Sequence, residues 1–239
     1  MNAAHYLWQR YPRVIQVHRR KVRLGPERRL LRAALETEYF FRFKLPAVFF
    51  HEPELPTGLP DMVAVYLPKT RPALAPCRLR LSPSHVRLLH GLHSLSTASF
   101  NEALSLLRIE RADLIRLVDD LSASGLITIR HERLFPEKLS RTFAVRHIIA
   151  IEAKISDWAR ALEQAAANRW FASQSFILIP QRRSLAAVSA RAQQLGVGVL
   201  VFDGSKVREA VKAKRLGIPA SYGSWLFNEW ALRRHRVTS

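Results

Sequence analysis

Two rhythms of apolar residues alternate along this chain. In roughly its first seventy residues, and again beyond about residue 144, short unbroken apolar runs are bounded by Pro, Gly and Asp; between them the apolar spacing is every third or fourth position. Unbroken short runs mark buried strands, and a 3.6-residue period marks helices packed by one face. Val14, Ile15 and Val17 predict a short strand in a basic segment that holds Arg19, Arg20, Lys21 and Arg23. Pro26 and Glu27 open a helix with Leu30, Leu31, Ala34 and Leu35 on one face, continuing through Glu36 and Glu38 toward Tyr39. Residues 47–52 read as a strand, Pro53, Pro56 and Gly58 as a turn, and Met62 to Leu67 as a second strand starting just after Pro60-Asp61.

The texture then changes. Pro68, Pro72 and Pro76 mark a linker, and residues 77–137 form a helical unit. Ser82-Pro83 starts a helix carrying Val86, Leu88, Leu89 and Leu92. Ser99 with Glu102 is a capping box for a second, ending near Leu107. A third runs from Glu110 to Ser124, with Leu114, Leu117, Val118 and Leu121 inward and Gly125 at its C′ position. Leu126 to Ile129 and Arg133 to Phe135 flank a short turn and predict a hairpin. Three helices followed by a hairpin is the order of a winged helix-turn-helix.

Beyond Pro136 the strand rhythm returns. Val145 to Ile155 is apolar except for Arg146, His147, Glu152 and Lys154. A helix capped by Ser156 or Asp157, a strand to Pro180, a helix over Leu185–Leu195 and a strand over Val197–Phe202 follow. This alternation predicts a mostly parallel sheet with both faces covered. An amphipathic helix with Trp225, Leu226, Trp230 and Leu232 ends in Arg233-Arg234-His235-Arg236. The expected layout is a first core part at 1–72, an inserted helical domain at 73–140, and a second core part at 141–239 that includes the basic C-terminal helix.

Charge narrows the function classes. The chain carries 38 Lys and Arg against 19 acids, a formal charge of +19. Thirty of the 38 are Arg, which meets phosphate oxygens bidentately. Nucleic acid is therefore the expected partner, with no membrane; the positive charge is spread along the chain rather than set on one amphipathic helix. The single cysteine, Cys77, rules out an intrachain disulfide and argues against a Cys-based zinc site. The N-terminal residues lack the apolar stretch of a signal peptide and no apolar run approaches a bilayer span, so the expected location is cytoplasmic.

The chemistry concentrates in a split motif, Pro60-Asp61 and Glu152-Ala153-Lys154, whose halves lie at predicted strand ends. Side chains alternate along a strand, so Glu152 and Lys154 share a face with Ile148 and Ala150, while Ile149, Ile151 and Ala153 face the other way. A charged pair ending an apolar face is costly unless paired or bound to a cation. If the two strands are neighbours, Asp61 joins that pair. Asp61 and Glu152 are hard oxygen ligands for Mg²⁺ or Mn²⁺, and the Ala153 carbonyl is a candidate backbone ligand. Lys154 suits a phosphate in its transition state. Gln164, on the following helix, is within reach of the same place, and Glu36 or Glu38 of the first helix is a candidate further ligand.

Gly58 to Val65 and Ile148 to Lys154, with the helix from Ser156 to Ala165, resemble the PD-(D/E)xK, or restriction-endonuclease-like, superfamily. The likeness covers about 27–67 and 144–202. It implies an α/β fold with a central mixed sheet flanked by helices, in which Asp61, Glu152 and Lys154 form the catalytic set. Two features depart from the pattern: a helical unit separates strands that are usually close in sequence, and the Gln-then-Tyr pair of some exonuclease branches is Gln164 followed by Asn168.

The expected function, as the resemblance implies, is metal-dependent hydrolysis of DNA phosphodiester bonds, double-stranded DNA first, with a possible homodimer because cutting both strands needs two sites. Arg111, Arg116, Arg130, Arg133 and Arg160 are the candidate phosphate contacts. The third helix of the inserted unit also carries Glu110, Asp113, Asp119 and Asp120, a poor match to phosphate, so that unit binds DNA or a protein. The alternatives are an inactive DNA-binding regulator or an assembly factor on the same scaffold. His85, His90 and His93 read as structural, as do Trp225 and Trp230, and Gly196-x-Gly198 is too short for a nucleotide-binding loop.

Overall fold

The computed structural model describes residues 14–18, 25–70, 73–182, 184–218 and 220–237, with backbone alone at 14–18 and 236–237. The basic group Arg19, Arg20, Lys21 and Arg23 lies outside the described residues. In chain order the elements are β1 (Val14–His18), α1 (Pro26–Leu35), β2 (Ala47–His51) and β3 (Met62–Tyr66). Then come α2 (Pro83–Leu95), β4 (Ala98–Ser99), α3 (Phe100–Leu107), α4 (Arg111–Ala123), β5 (Ile127–Arg130), β6 (Arg133–Pro136) and the single turn α5 (Leu139–Thr142). The chain closes with β7 (His147–Ala153), α6 (Trp158–Asn168), β8 (Gln174–Pro180), α7 (Ala186–Leu195), β9 (Gly198–Phe202), β10 (Val207–Val211) and α8 (Tyr222–Val237). Among the described residues no helix is long and apolar enough to cross a membrane.

The chain divides into two compact units, Met1–Lys69 with Val145–Pro219, and Thr70–Ala144 with Ala220–Ser239. The first holds a seven-stranded sheet in the order β1-β2-β3-β7-β8-β9-β10. The sheet is mixed rather than mostly parallel. β1/β2, β7/β8 and β8/β9 run parallel, whereas β2/β3, β3/β7 and β9/β10 run antiparallel. The β3/β7 pair explains the split motif. The chain leaves the ladder at Tyr66 and re-enters at His147, its partner in register. An antiparallel neighbour begins at the end where the previous strand stopped, so no crossover helix is required and the intervening chain is free in length.

Each face of this sheet has its own core. Phe49, Met62, Ala64, Tyr66, Ile149, Ile151 and Phe176 pack with Leu30, Leu31, Ala34 and Leu35 of α1. Ile177, Ile179, Val199 and Val201 pack with Ala161, Leu162 and Ala165 of α6 and Val188 and Ala192 of α7. Every large side chain so buried contributes about 1.5–3 kcal/mol. β10 escapes the sequence pattern because Arg208 and Glu209 interrupt its apolar residues and a register shift falls between Glu209 and Val211. Its turn is set locally: the Asp203 carboxylate accepts from the Ser205 and Lys206 amides, and Gly204 supplies φ 101°.

The second unit packs α2, α3 and α4 with a small sheet of order β4-β6-β5. The Ser99–Glu102 capping box forms reciprocally, Glu102 N donating to Ser99 Oγ at 3.2 Å and Ser99 N to Glu102 Oε2 at 2.6 Å. Gly125 takes φ 66° after α4, as its place there requires. α8 belongs to this unit, not to the sheet unit with which its sequence position groups it. It packs on α2, and Trp225, Leu226, Phe227, Ala231 and Leu232 are buried. Its Glu229 meets Arg78, 151 residues earlier, through Nε–Oε2 at 3.1 Å and Nη2–Oε1 at 2.8 Å. No local sequence pattern reports a pairing over that separation.

Candidate functional site

The site grows from one end of the β3/β7 ladder. Met62 pairs with Ile151, so the next step sets Asp61 opposite Glu152 and on the same face of the sheet. Asp61 Oδ2 accepts from the Ala153 backbone N–H at 2.8 Å. That amide ties the two halves of the motif together. Lys154 follows on the Glu152 face, half-buried, and its backbone N–H is held by Leu178 O at 3.0 Å.

Glu152 is 2% exposed. Its Oε1 accepts a hydrogen bond from Asn168 Nδ2 at 2.6 Å, from the last turn of α6. Burial, and then the negative charge of Asp61, push the Glu152 carboxyl up to about 8, against the opposing pull of Asn168 and Lys154. Burial likewise raises Asp61, while the Ala153 amide and Lys154 lower it and Glu52 and Glu27 raise it again. Two carboxyls of like sign thus face each other with one lysine near both. At least one proton or cation is required to relieve the pair near neutral pH.

Gln164 sits one turn before Asn168 on the same helix face, and its Oε1 is buried without a hydrogen-bond partner among the described residues. Glu36 and Glu38 do not join the site. Glu36 lies at the C-terminal end of α1, 4.0 Å from Arg32. Glu38 begins a 3₁₀ turn whose Phe40 carbonyl accepts from Tyr66 Oη at 2.7 Å, at the end of β3 away from Asp61. The carboxylates that do influence Asp61 are Glu27, in the first turn of α1, and Glu52, directly after β2. The Glu52 N–H donates to Asp61 O at 3.1 Å, and the Glu52 side chain is engaged by Arg28, with Nε–Oε1 at 2.7 Å.

Sequence reading missed Asn168, Glu27 and Glu52. Asn168 was legible as the i+4 neighbour of Gln164. Glu52 was legible only once β2 and β3 were known to pair, His51 with Met62. The choice between the two ends of α1 was open in the sequence, because strand direction relative to the helix is a tertiary fact.

The donor set suits a small hard cation: two carboxylates short of positive charge, with oxygen rather than nitrogen or sulfur atoms. Among the described residues no three His, Cys, Asp or Glu side chains group as a metal cluster. The protein's side-chain share of a cation would therefore be Asp61 and Glu152.

Of the expected phosphate contacts, Arg160 alone belongs to the same unit; it is exposed on α6, its N–H bound by the Asp157 cap at 3.2 Å. In the helical unit Arg111 and Arg130 are exposed, Arg116 pairs with Asp113, and Arg133 lies 3.4 Å from Glu102. His85 accepts from Ser82 N at its Nδ1 (3.0 Å) and meets Asp120 through Nε2 (3.1 Å), a helix-capping arrangement. His93 stacks on the fully buried Trp225. No family model matches the chain, and neither a curated protein nor a solved structure is significantly similar to it.

Proposed function

We propose that the chain is a metal-dependent nuclease that hydrolyses DNA phosphodiester bonds, built on a PD-(D/E)xK-type core with an inserted winged-helix module for DNA or a partner. One observation carries this reading: Asp61 and Glu152 occupy facing positions at a sheet end, like in charge and buried enough to lift Glu152 to about 8, with Lys154 beside them. A structural ion pair would place a cation between such groups; here two acids share one lysine.

Mg²⁺ or Mn²⁺ held by Asp61 and Glu152 would supply charge neutralisation at the scissile phosphate and an acidified water. The protein's own groups do the rest. Asn168 fixes the Glu152 carboxylate by holding Oε1. The Ala153 amide does the same for Asp61 Oδ2. Lys154 places an ammonium where negative charge grows on the phosphorane oxygens. Gln164, with its unsatisfied buried Oε1, accepts from a water or from a substrate group. The basic surface draws the polyanion in.

Incubation with supercoiled plasmid in Mg²⁺ or Mn²⁺, with EDTA as control, tests this directly. Nicked or linear product that disappears in Glu152→Ala and Lys154→Ala proteins supports it; undiminished cleavage by either variant removes the assignment. A second reading, an inactive DNA-binding regulator or assembly factor on the same scaffold, draws on the depth of Glu152 and on both acids already accepting protein N–H groups. Salt-dependent DNA binding without metal-dependent cleavage would favour the regulator, and weak, salt-insensitive DNA binding the assembly factor.

A further inference from the structure

At the other end of β7 an aromatic stack, on the face of the sheet opposite Glu152, lies in the field of three arginines. Phe43 and His147 rings stack at 4.5 Å and 17°. The Arg42 guanidinium lies 3.9 Å over the Tyr39 ring and 4.9 Å from that of Phe43. Arg146 is fixed beside this group by its backbone N–H to Tyr66 O at 2.8 Å. Arg215 is brought there by its neighbour: Leu216 N donates to Ser173 O at 2.9 Å, and Ser173 N donates to Ile148 O at 2.8 Å.

All three arginines are exposed, and among the described residues none forms an ion pair with a carboxylate. The nearby Glu209 is taken by Tyr39 Oη at 2.9 Å. Burial, then the charges of Arg215, Arg42 and Arg146, hold His147 below its ordinary value, so it stays a neutral stacking partner. Three guanidinium groups against the one carboxylate of Glu209 leave an excess of positive charge, which a polyanion relieves. Held over the Tyr39 ring, the Arg42 guanidinium is restricted in advance of a bidentate phosphate contact.

We propose that Arg42, Arg146 and Arg215 form a phosphate-binding surface for the backbone of duplex DNA, separate from the carboxylate end of the sheet. His147 and Glu152 lie five residues apart on one strand, about 17 Å at ~3.3 Å per residue, and point to opposite faces. The surface therefore grips phosphates away from the one at Asp61 and Glu152, and it does so whether or not that site cleaves. An Arg-rich chain of net charge +19 favours nucleic acid over an acidic protein or an anionic lipid surface.

The test is fluorescence anisotropy of a labelled short DNA duplex with the full chain in EDTA, at two salt concentrations. The Arg42→Gln/Arg146→Gln/Arg215→Gln protein, with an unchanged circular dichroism spectrum and urea midpoint, should bind about 10²-fold more weakly, with a log–log salt slope shallower by about 2 to 3. Each single substitution should remove about one unit of slope. Wild-type affinity and slope in the triple variant would overturn the proposal. So would undiminished DNA binding alongside lost binding to phosphatidylserine vesicles or to polyglutamate. Because EDTA suppresses metal-dependent cleavage, this outcome is separate from that of Glu152→Ala on plasmid.

Discussion

Glu152 and Glu229 are withdrawn from solvent to nearly the same degree, 2% and 3% exposed, yet meet opposite surroundings. Glu229, in the helical unit, takes both Nε and Nη2 of Arg78 and a further hydrogen bond from Asn228 Nδ2 at 2.8 Å. The same Arg78 also donates to Thr142 O, so every partner in that cluster is answered. Glu152, in the sheet unit, meets the Asn168 amide and the Asp61 backbone N–H but no guanidinium, and faces a second carboxyl. Burying a charge costs several kcal/mol unless it is paired and hydrogen-bonded. The first cluster meets that cost within the fold. The second leaves it open, and such an open deficit is what a site for an added cation requires.

The widest separation between the two clusters should appear in activity. Lys154→Ala is expected to lower plasmid cleavage by about 10²–10³-fold, the range for removing one preorganised charge-stabilising donor. Glu152→Gln and Asp61→Asn should lower it at least as far, with no loss in thermal midpoint. Arg78→Ala should leave cleavage per folded molecule unchanged. Single-turnover cleavage normalised to folded protein measures this, and equal rates in Lys154→Ala and wild-type protein would dissolve the functional half of the contrast.

Stability should reverse the order. Removing one partner of a buried pair strands the other, so Arg78→Ala is expected to cost about 3–5 kcal/mol. The double change Arg78→Met/Glu229→Leu should recover much of it, since well-packed apolar replacements of buried pairs are often neutral. Glu152→Gln should be neutral or stabilising because it removes a repulsion. Urea unfolding reads all three; a Glu152→Gln protein as unstable as Arg78→Ala would mean both glutamates are structural.

How far sequence could tell these clusters apart is itself instructive. The strands flanking Asp61 and Glu152 were legible because unbroken apolar runs such as Ile148 to Ile151 have few other uses in a chain of this composition. The facing of Glu152 and Lys154 followed from strand alternation alone. What was not legible depended on pairings between distant segments. Arg78 with Glu229, α8 with the helical unit, and the placement of α1 that brings Glu27 rather than Glu38 toward Asp61 are all set by packing, not by local pattern. β10 was hidden because an edge strand tolerates charge, and the adjacent Arg208 and Glu209 break its apolar run.

A smaller effect sharpens how Glu152 is held. Asn168→Leu keeps the volume but removes the 2.6 Å hydrogen bond to Glu152 Oε1. Loss of such an orienting group typically costs 10–100-fold, and cleavage should fall by about that much. The carboxyl should also rise further, since the amide favours its ionised form. The pH–rate profile of the variant should therefore move its acidic limb to higher pH; a uniform drop with an unmoved limb would assign Asn168 a structural part only.

Proton linkage gives a subtler distinction. Folding raises Glu152 from 4.5 to about 8, so the native state holds a proton that the unfolded chain releases. Its contribution to stability is complete below about pH 4.5 and is lost as pH rises through about 8, with a slope of up to about 1.4 kcal/mol per pH unit. The difference in unfolding free energy between wild type and Glu152→Gln should carry that slope, and Mg²⁺ should flatten it by favouring the ionised pair. No slope in that difference would place Glu152 in an environment as well compensated as that of Glu229.

The smallest expected effect concerns α1, whose two ends the sequence could not rank. Glu38→Ala removes an exposed carboxylate at the Tyr66 end of the sheet, and cleavage should stay within about twofold, as for surface changes worth about 0.5 kcal/mol. Glu27→Gln acts at the other end. Glu27 raises Asp61, so its removal should ease ionisation of Asp61 and shift the acidic limb of the pH–rate profile to lower pH. The same substitution removes negative charge from the surroundings of a bound cation, so half-saturation by Mg²⁺ should move to higher concentration. Opposite shifts in pH and Mg²⁺ dependence would place Glu27 in the field of the Asp61–Glu152 pair. Equal silence from Glu27→Gln and Glu38→Ala would confine that pair to its own two strands.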